Sequence, residues 1–237
     1  MEEPRQAIRA APAAEMLGMP ILPSSSILSD REFPMPLAKP ADTAHPIHPL
    51  LRERWSPRAF AAKAVERDKL LSLLEAGRWA ASCANEQSWA FLVATADDHA
   101  GFATMLGCLT AGNQVWCAHA PVLMLSFART HFAARGVPNR HHMHDVGQFA
   151  TNMAIQAVAQ GLVIHQMAGI VADRIRETYA VPDGYEPCTA IAIGYHGELA
   201  DLPNDEQRAK EQAARTRKPL GDFVFGGKFG DTSPLVG

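Results

Sequence analysis

The chain has 237 residues, 47% hydrophobic and 20% charged, with a formal net charge of −3. That composition describes an ordinary globular protein with one sizeable core, in one domain or two small ones. It excludes nucleic acid or an anionic membrane as a partner held by bulk electrostatics, so basic groups must act locally if they act at all.

The N-terminus, MEEPRQAIRAAPAAEMLGMPILP, carries acids at positions 2 and 3 and no uninterrupted apolar core, so no secretory leader is expected. No apolar run approaches the roughly 20 residues needed to span a bilayer, and no membrane partner is expected either. Residues 1–47 are rich in Pro and Ala, with prolines recurring from Pro20 to Pro46, which excludes a long helix. An extended arm is expected there, ahead of a body at 48–237. Cysteines stand at 83, 108, 117 and 188 with no CxxC pair. Reduced thiols in a cytoplasmic protein are the simplest account.

RERWSPRAF (52–60) opens the body and places Arg52, Arg54 and Arg58 around Ser56-Pro57. Guanidiniums beside a hydroxyl match the geometry of a phosphate monoester, although solvated charge ahead of a helix would look the same. Leu70, Leu71, Leu73, Leu74 and Gly77 then fit a helix with one buried face. AASCANEQSWAFLVAT (81–96) runs from a polar cluster into a strand, AFLVAT (90–95), and PVLMLSFA (121–128) is a second strand headed by Pro121.

NRHHMHDVGQ gathers His141, His142 and His144, which read better as a polar helix start than as a metal site. The clearest helix runs from Asp145 to Gln160, with Asp145 and Gln148 as a cap pair and Gly161 as its stop. Its apolar stripe is rich in small residues (Ala150, Ala154, Ala157), which suits close approach of another helix, and makes it the candidate core of a dimer. GLVIHQMAGI (161–170) follows; Ala168-Gly169 permits a flat ligand to approach the backbone, or marks a plain helix-to-helix turn. CTAIAIGYH (188–196) is a third buried strand after a turn at Val181–Gly184. RTRKPLGDFVFGGKFGD brings a second basic knot, Arg215, Arg217 and Lys218.

Strands and helices do not alternate regularly, and neither GxGxxG nor GxxxxGK[ST] opens a helix. An α+β fold, a sheet wrapped by helices, is expected. No serine elbow, HExxH or paired carboxylates appear, so a bound cofactor is expected to supply the reactivity.

Taken in order, RWSPRAF, AASCANEQSWAFLVAT, GNQVWCAHAPVLML, HDVGQFATNMAIQAVAQGLVIHQMAGI, CTAIAIGYHGE and RTRKPLGDFV resemble the nitroreductase family of FMN-dependent oxidoreductases, across roughly residues 48 to 225. The resemblance implies a mostly antiparallel central sheet flanked by helices in an intertwined homodimer. It places Arg54, Ser56 and Arg58 at the FMN phosphate and ribityl chain, Trp55 along the flavin, and Arg215 and Arg217 closing on the phosphate. Ser82, Cys83, Asn85 and Gln87 would reach FMN bound mainly by the other chain. Asn113 corresponds to an asparagine at the pyrimidine edge, and Met167, Ala168 and Gly169 to the stretch facing flavin N5. NADH or NADPH would donate hydride and a small-molecule acceptor, a nitroaromatic or quinone, would leave with the electrons in ping-pong turnover. Ala81, Cys83 and Ser88 depart from the family's usual Pro, Ser and Pro. Two other readings share the resemblance: reduced-flavin chemistry of another kind (dehalogenation or flavin breakdown, with residues 99–116 as part of a lid) and a non-enzymatic flavin-binding protein.

Overall fold

The computed structural model describes residues 37–236. Residues 1–36 of the expected arm lie outside them, as does Gly237. In chain order the elements are α1 (Pro49–Glu53), α2 (Arg67–Arg78), β1 (Trp89–Thr95), α3 (His99–Gly107), α4 (Ala111–Cys117), β2 (Val122–Arg129), α5 (His142–Ala159), β3 (Val163–Met167), α6 (Ala172–Thr178), β4 (Tyr185–Gly194) and α7 (Asp205–Gln212).

The four strands form one antiparallel sheet in the order β1-β2-β4-β3. Val122 pairs with Ile193, and Val163 with Gly194, so β3 lies at one edge. Both faces are covered, which is why β2 reads as a continuous apolar run and is buried from Val122 to Ala128. Leu123, Leu125, Phe127, Ala190 and Ala192 share one face with Phe102, Met105 and Trp116 of α3 and α4. Val122, Met124, Ile191 and Ile193 share the other with Leu73 of α2 and Phe149 and Met153 of α5. The three expected strands are β1, β2 and β4. The fourth, β3, falls inside GLVIHQMAGI, where a ligand-facing stretch and a helix turn had both been open. Residues 99–116 form two helices whose Phe102, Met105 and Trp116 are core, so this stretch carries structural weight.

Three details of α5 differ from expectation. It begins at His142, not Asp145, and Asp145 lies inside its first turns. Asp145 is 1% exposed and caps nothing in its own helix: its carboxylate accepts the Cys83 N–H at 3.2 Å. The stripe with Ala150, Ala154 and Ala157 is buried within the chain, packed on α2 and the sheet, so a dimer contact through α5 would use the opposite face, His144, Gly147 and Thr151. The close approach is real but internal. A Cβ on Gly77 of α2 would lie 2.3 Å from the Phe149 ring, so glycine is there for space. At the other end, Gly161 takes φ +72° and stops the helix as expected.

Candidate functional site

Three groups of polar residues gather outside the core. The first is basic. Arg54 caps the C-terminus of α1, and the following loop carries Trp55, Ser56 and Arg58; α7 ends at Gln212 and delivers Arg215 and Arg217 to the same place. Arg54, Trp55, Ser56, Arg58, Arg215 and Arg217 line one cavity of about 240 Å³, joined by Lys39 and Lys210. The two basic knots of the sequence therefore meet.

Their roles inside the cavity differ. Arg215 donates from Nη1 to the carbonyls of Lys39 (2.5 Å) and Arg52 (3.0 Å), and from Nη2 to that of Arg54 (2.8 Å). It fastens three stretches of backbone together. Arg54 and Arg217 flank it. Burial first, then the neighbouring Arg217 charge, hold the Arg54 guanidinium below its ordinary pKa. Burial, then Arg54 and Arg217, do the same to Arg215. A guanidinium stays protonated regardless, so these shifts describe positive charge held under tension, which an anion relieves.

Behind the cavity sits Glu211, with no exposed surface. Its carboxylate accepts the backbone N–H of Arg58 at 2.8 Å and of Ala59 at 3.3 Å, and lies 3.3 Å from His196 Nε2. Burial alone would push the Glu211 carboxyl up, but these hydrogen bonds together outweigh it and hold it below the usual range. Trp55 stands edge-on to the His196 ring at 5.3 Å. The loop is thus fixed from beneath by a buried charge and from the side by an aromatic pair. The buried Nε1 of Trp55 has no protein partner.

The second group lies along edge strand β3. His165 Nδ1 contacts the Pro57 carbonyl at 2.9 Å, which ties β3 to the basic loop. Two residues on, Met167 meets Cys117 Sγ at 3.4 Å, and the chain turns through Ala168-Gly169. The Gly169 carbonyl accepts Asn113 Nδ2 at 3.1 Å and the Thr110 N–H at 3.0 Å. A Cβ on Gly169 would sit 2.3 Å from Asn113 Nδ2 and 2.6 Å from Thr110 Oγ1, so only glycine lets the turn lie against α4. Asn113, Met167, Ala168 and Gly169 are therefore brought together, and β3 joins them to the arginines. Neutral His165 makes that joint: burial pulls its pKa down to about 4, outweighing the Pro57 hydrogen bond.

The third group is Ser82, Cys83, Asn85 and Gln87. Ala84, Asn85 and Gln87 have φ of 54°, 54° and 50°, left-handed backbone that non-glycine residues adopt at a cost of about 1–3 kcal/mol each. Several anchors hold it: Asp145 on the Cys83 N–H, Ser82 Oγ accepting the Gln87 N–H at 3.0 Å, and Glu86 paired with Arg129 while accepting the Ala133 N–H at 2.7 Å. The Asn85 and Gln87 carboxamides themselves are exposed. Those anchors run to α5, β2 and the loop after it, so the segment stands apart from the other two groups.

The histidine cluster disperses. His142 turns to the Asn139 carbonyl and Glu186, and His144 to Gln148. Among the described residues, no group of three metal-binding side chains assembles.

Sequence reasoning missed Lys39, Glu211 and Glu86. Glu211 reaches the loop across 153 residues and Lys39 reaches Glu211 across 172, with no local pattern to mark them. Glu86 stood in plain view between Asn85 and Gln87, read only as part of a polar run.

An arrangement of forked cations, an edge strand and a glycine turn suits a flat molecule with an anionic tail. The Nitroreductase family model matches residues 51–105 and 107–195. A crystal structure described as an oxidoreductase containing FMN is 34% identical, with 81% of this chain and 96% of that one aligned at a TM-score of 0.75. A nitroreductase family protein of Clostridium difficile 630 shares the fold at 23% identity and a TM-score of 0.58, over 76% of this chain and 97% of that one. An uncharacterized 15.4 kDa protein of Mycolicibacterium smegmatis is 33% identical over 55% of this chain and 85% of its own length. The chain belongs to the nitroreductase family.

Proposed function

We propose that the protein is an FMN-dependent oxidoreductase that takes hydride from NADH or NADPH and reduces nitroaromatic, quinone or similar small-molecule acceptors. The observation that carries the reading is the convergence of Arg54, Arg58 and Arg217 on one cavity, in a loop that His165 ties to edge strand β3. It is reinforced by the FMN in the 34% identical relative.

The residues present fit the cofactor. Arg54, Ser56, Arg58 and Arg217 would hold its phosphate through charge-assisted hydrogen bonds, with Arg215 keeping the Arg54 backbone in place. Trp55, its Nε1 unpartnered, would wall the path toward the ring. Gly169 would let the ring lie against the β3 turn, and Asn113 would present an amide to its pyrimidine edge. When bound, FMN supplies the two-electron chemistry, accepting hydride in one half-reaction and delivering it in the other. The protein's contribution would be position and polarity: Asn113 and the turn's N–H groups would stand where negative charge develops on a bound flavin.

The exposed carboxamides of Asn85 and Gln87, held rigid by Asp145 and Glu86, would cover the cofactor of a second copy. We therefore read the protein as a homodimer. Its four cysteines are unpaired, which suits a cytoplasmic protein. Purified protein should be yellow, and anaerobic NADH or NADPH should bleach it; a colourless protein that takes up no added FMN would refute the reading. On gel filtration, a flavin-loaded, fully active monomer would refute the dimer.

A further inference from the structure

We propose that Lys39, from the segment ahead of the body, recognises the cofactor's phosphate. The inference rests on the FMN reading above.

Lys39 lines the same cavity as Arg54, Arg58 and Arg217. Its ammonium sits 4.4 Å above the Trp55 ring and donates to the carbonyls of Glu211 (2.7 Å) and Ala213 (2.5 Å), where α7 ends. An ammonium has three N–H donors, so one remains beyond those two. The segment is fixed at this place from both directions. The Ala41 N–H reaches the Arg52 carbonyl at 2.7 Å, Arg52 Nε reaches back to the Ala41 carbonyl at 3.3 Å, and Arg215 holds the Lys39 carbonyl. The same guanidinium thus clasps the Arg54 and Lys39 backbones, so the two cations are set by one staple.

Electrostatics favour an anion as the last partner. Burial first holds the Lys39 pKa down, and Arg215 and Arg58 add to that against the attraction of Glu211. Arg215 is committed to carbonyls, and Lys210 is paired with Glu206 at 2.5 Å. Lys39, Arg54, Arg58 and Arg217 remain as the cations facing the cavity, against a phosphate monoester of about two negative charges at neutral pH.

The competing role is purely structural: Lys39 caps the last carbonyls of α7. Two ligands separate the roles, because riboflavin has the ring and ribityl chain of FMN but no phosphate. Full-length protein stripped of flavin is titrated with each, following the quenching of flavin fluorescence. K39Q keeps an amide donor for the carbonyls and removes the charge; K39R keeps the charge. We expect K39Q to weaken FMN about tenfold or more, the scale of one charged hydrogen bond, with riboflavin unchanged and K39R near the parent. K39Q that leaves FMN affinity unchanged, or weakens both ligands alike, would overturn the inference. R54A serves as the control on the FMN reading: loss there without loss in K39Q sinks Lys39 alone, whereas FMN affinity unchanged in both sinks the reading itself. On the unaltered chain, FMN should slow acylation of Lys39 by an amine-reactive ester and riboflavin should not; equal labelling with both would also overturn the proposal.

Discussion

Arg215 donates to the carbonyl of Arg54 at 2.8 Å, across 161 residues of sequence. That bond makes the C-terminal basic knot a fastener for the first one. A guanidinium satisfies three carbonyls here because its donors are forked and fixed in plane.

Arg215→Lys should therefore behave unlike a conservative change. One ammonium cannot span the Lys39, Arg52 and Arg54 carbonyls in the same geometry, so two of the three are left without their donor. A loss of about 1–3 kcal/mol in unfolding free energy is expected, together with weaker FMN retention. Denaturant melts of flavin-free protein measure the first and equilibrium dialysis the second. An unchanged midpoint would show that the three bonds contribute little.

Asp145→Ala should release the Cys83 N–H and loosen the strained Ser82–Gln87 segment. The half-buried donor left behind sets a stability loss of about 1 kcal/mol. Because that segment would cover a second copy's cofactor, flavin should also dissociate faster from the dimer. Stopped-flow release of FMN provides the check; a rate equal to the parent's would mean that the segment plays no part in retention.

Gly169→Ala places a methyl 2.3 Å from Asn113 Nδ2. The turn and α4 must separate, at a cost of about 1–3 kcal/mol for overpacking. Flavin reduction by NAD(P)H should slow more than FMN affinity falls, because the change lies at the ring end and not at the arginines. Rapid-mixing kinetics at 450 nm would reveal it, and an unaltered reduction rate would contradict the placement of Asn113.

The pH dependence follows from two buried groups with different windows. His165 has its folded pKa lowered to about 4, below an unfolded value of about 6.5. Below about pH 6.5 the unfolded chain binds the proton more readily, so stability falls with decreasing pH down to about 4. Glu211 is depressed too, so its contribution is full above the ordinary carboxylate pKa and is lost as pH drops through its folded value. Urea midpoints between pH 7 and 4.5 isolate the histidine. His165→Gln should flatten that slope, and a slope unchanged by the substitution would assign the effect elsewhere.

Much of the sheet was legible because β1, β2 and β4 are long apolar runs bounded by turn residues. β3 was not, since five residues directly after a helix give no period to distinguish strand from turn. Asp145 and Gln148 imitate a cap pair at the correct spacing, yet the carboxylate bonds a residue 62 positions away. Local pattern has no access to that choice. The alanine stripe announced a close helix contact correctly, and Gly77 in the same chain supplied the partner surface. The arginine knots were found as chemistry, but which guanidinium faces the cavity and which holds carbonyls depends on where Lys39, Arg52 and Arg54 end up in space. Lys39 itself sits among prolines that said only where a helix was excluded.

The proposed phosphate site depends on Arg54 and Arg217, 163 residues apart, gripping one anion. The direct test is the ratio of FMN to riboflavin affinity in the R54A/R217A double variant, measured by fluorescence titration of flavin-free protein. The parent should prefer FMN by about a hundredfold or more, on the scale of two charged hydrogen bonds, and the double variant should lose most of this preference while riboflavin affinity holds. A double variant that still prefers FMN as strongly as the parent would contradict it.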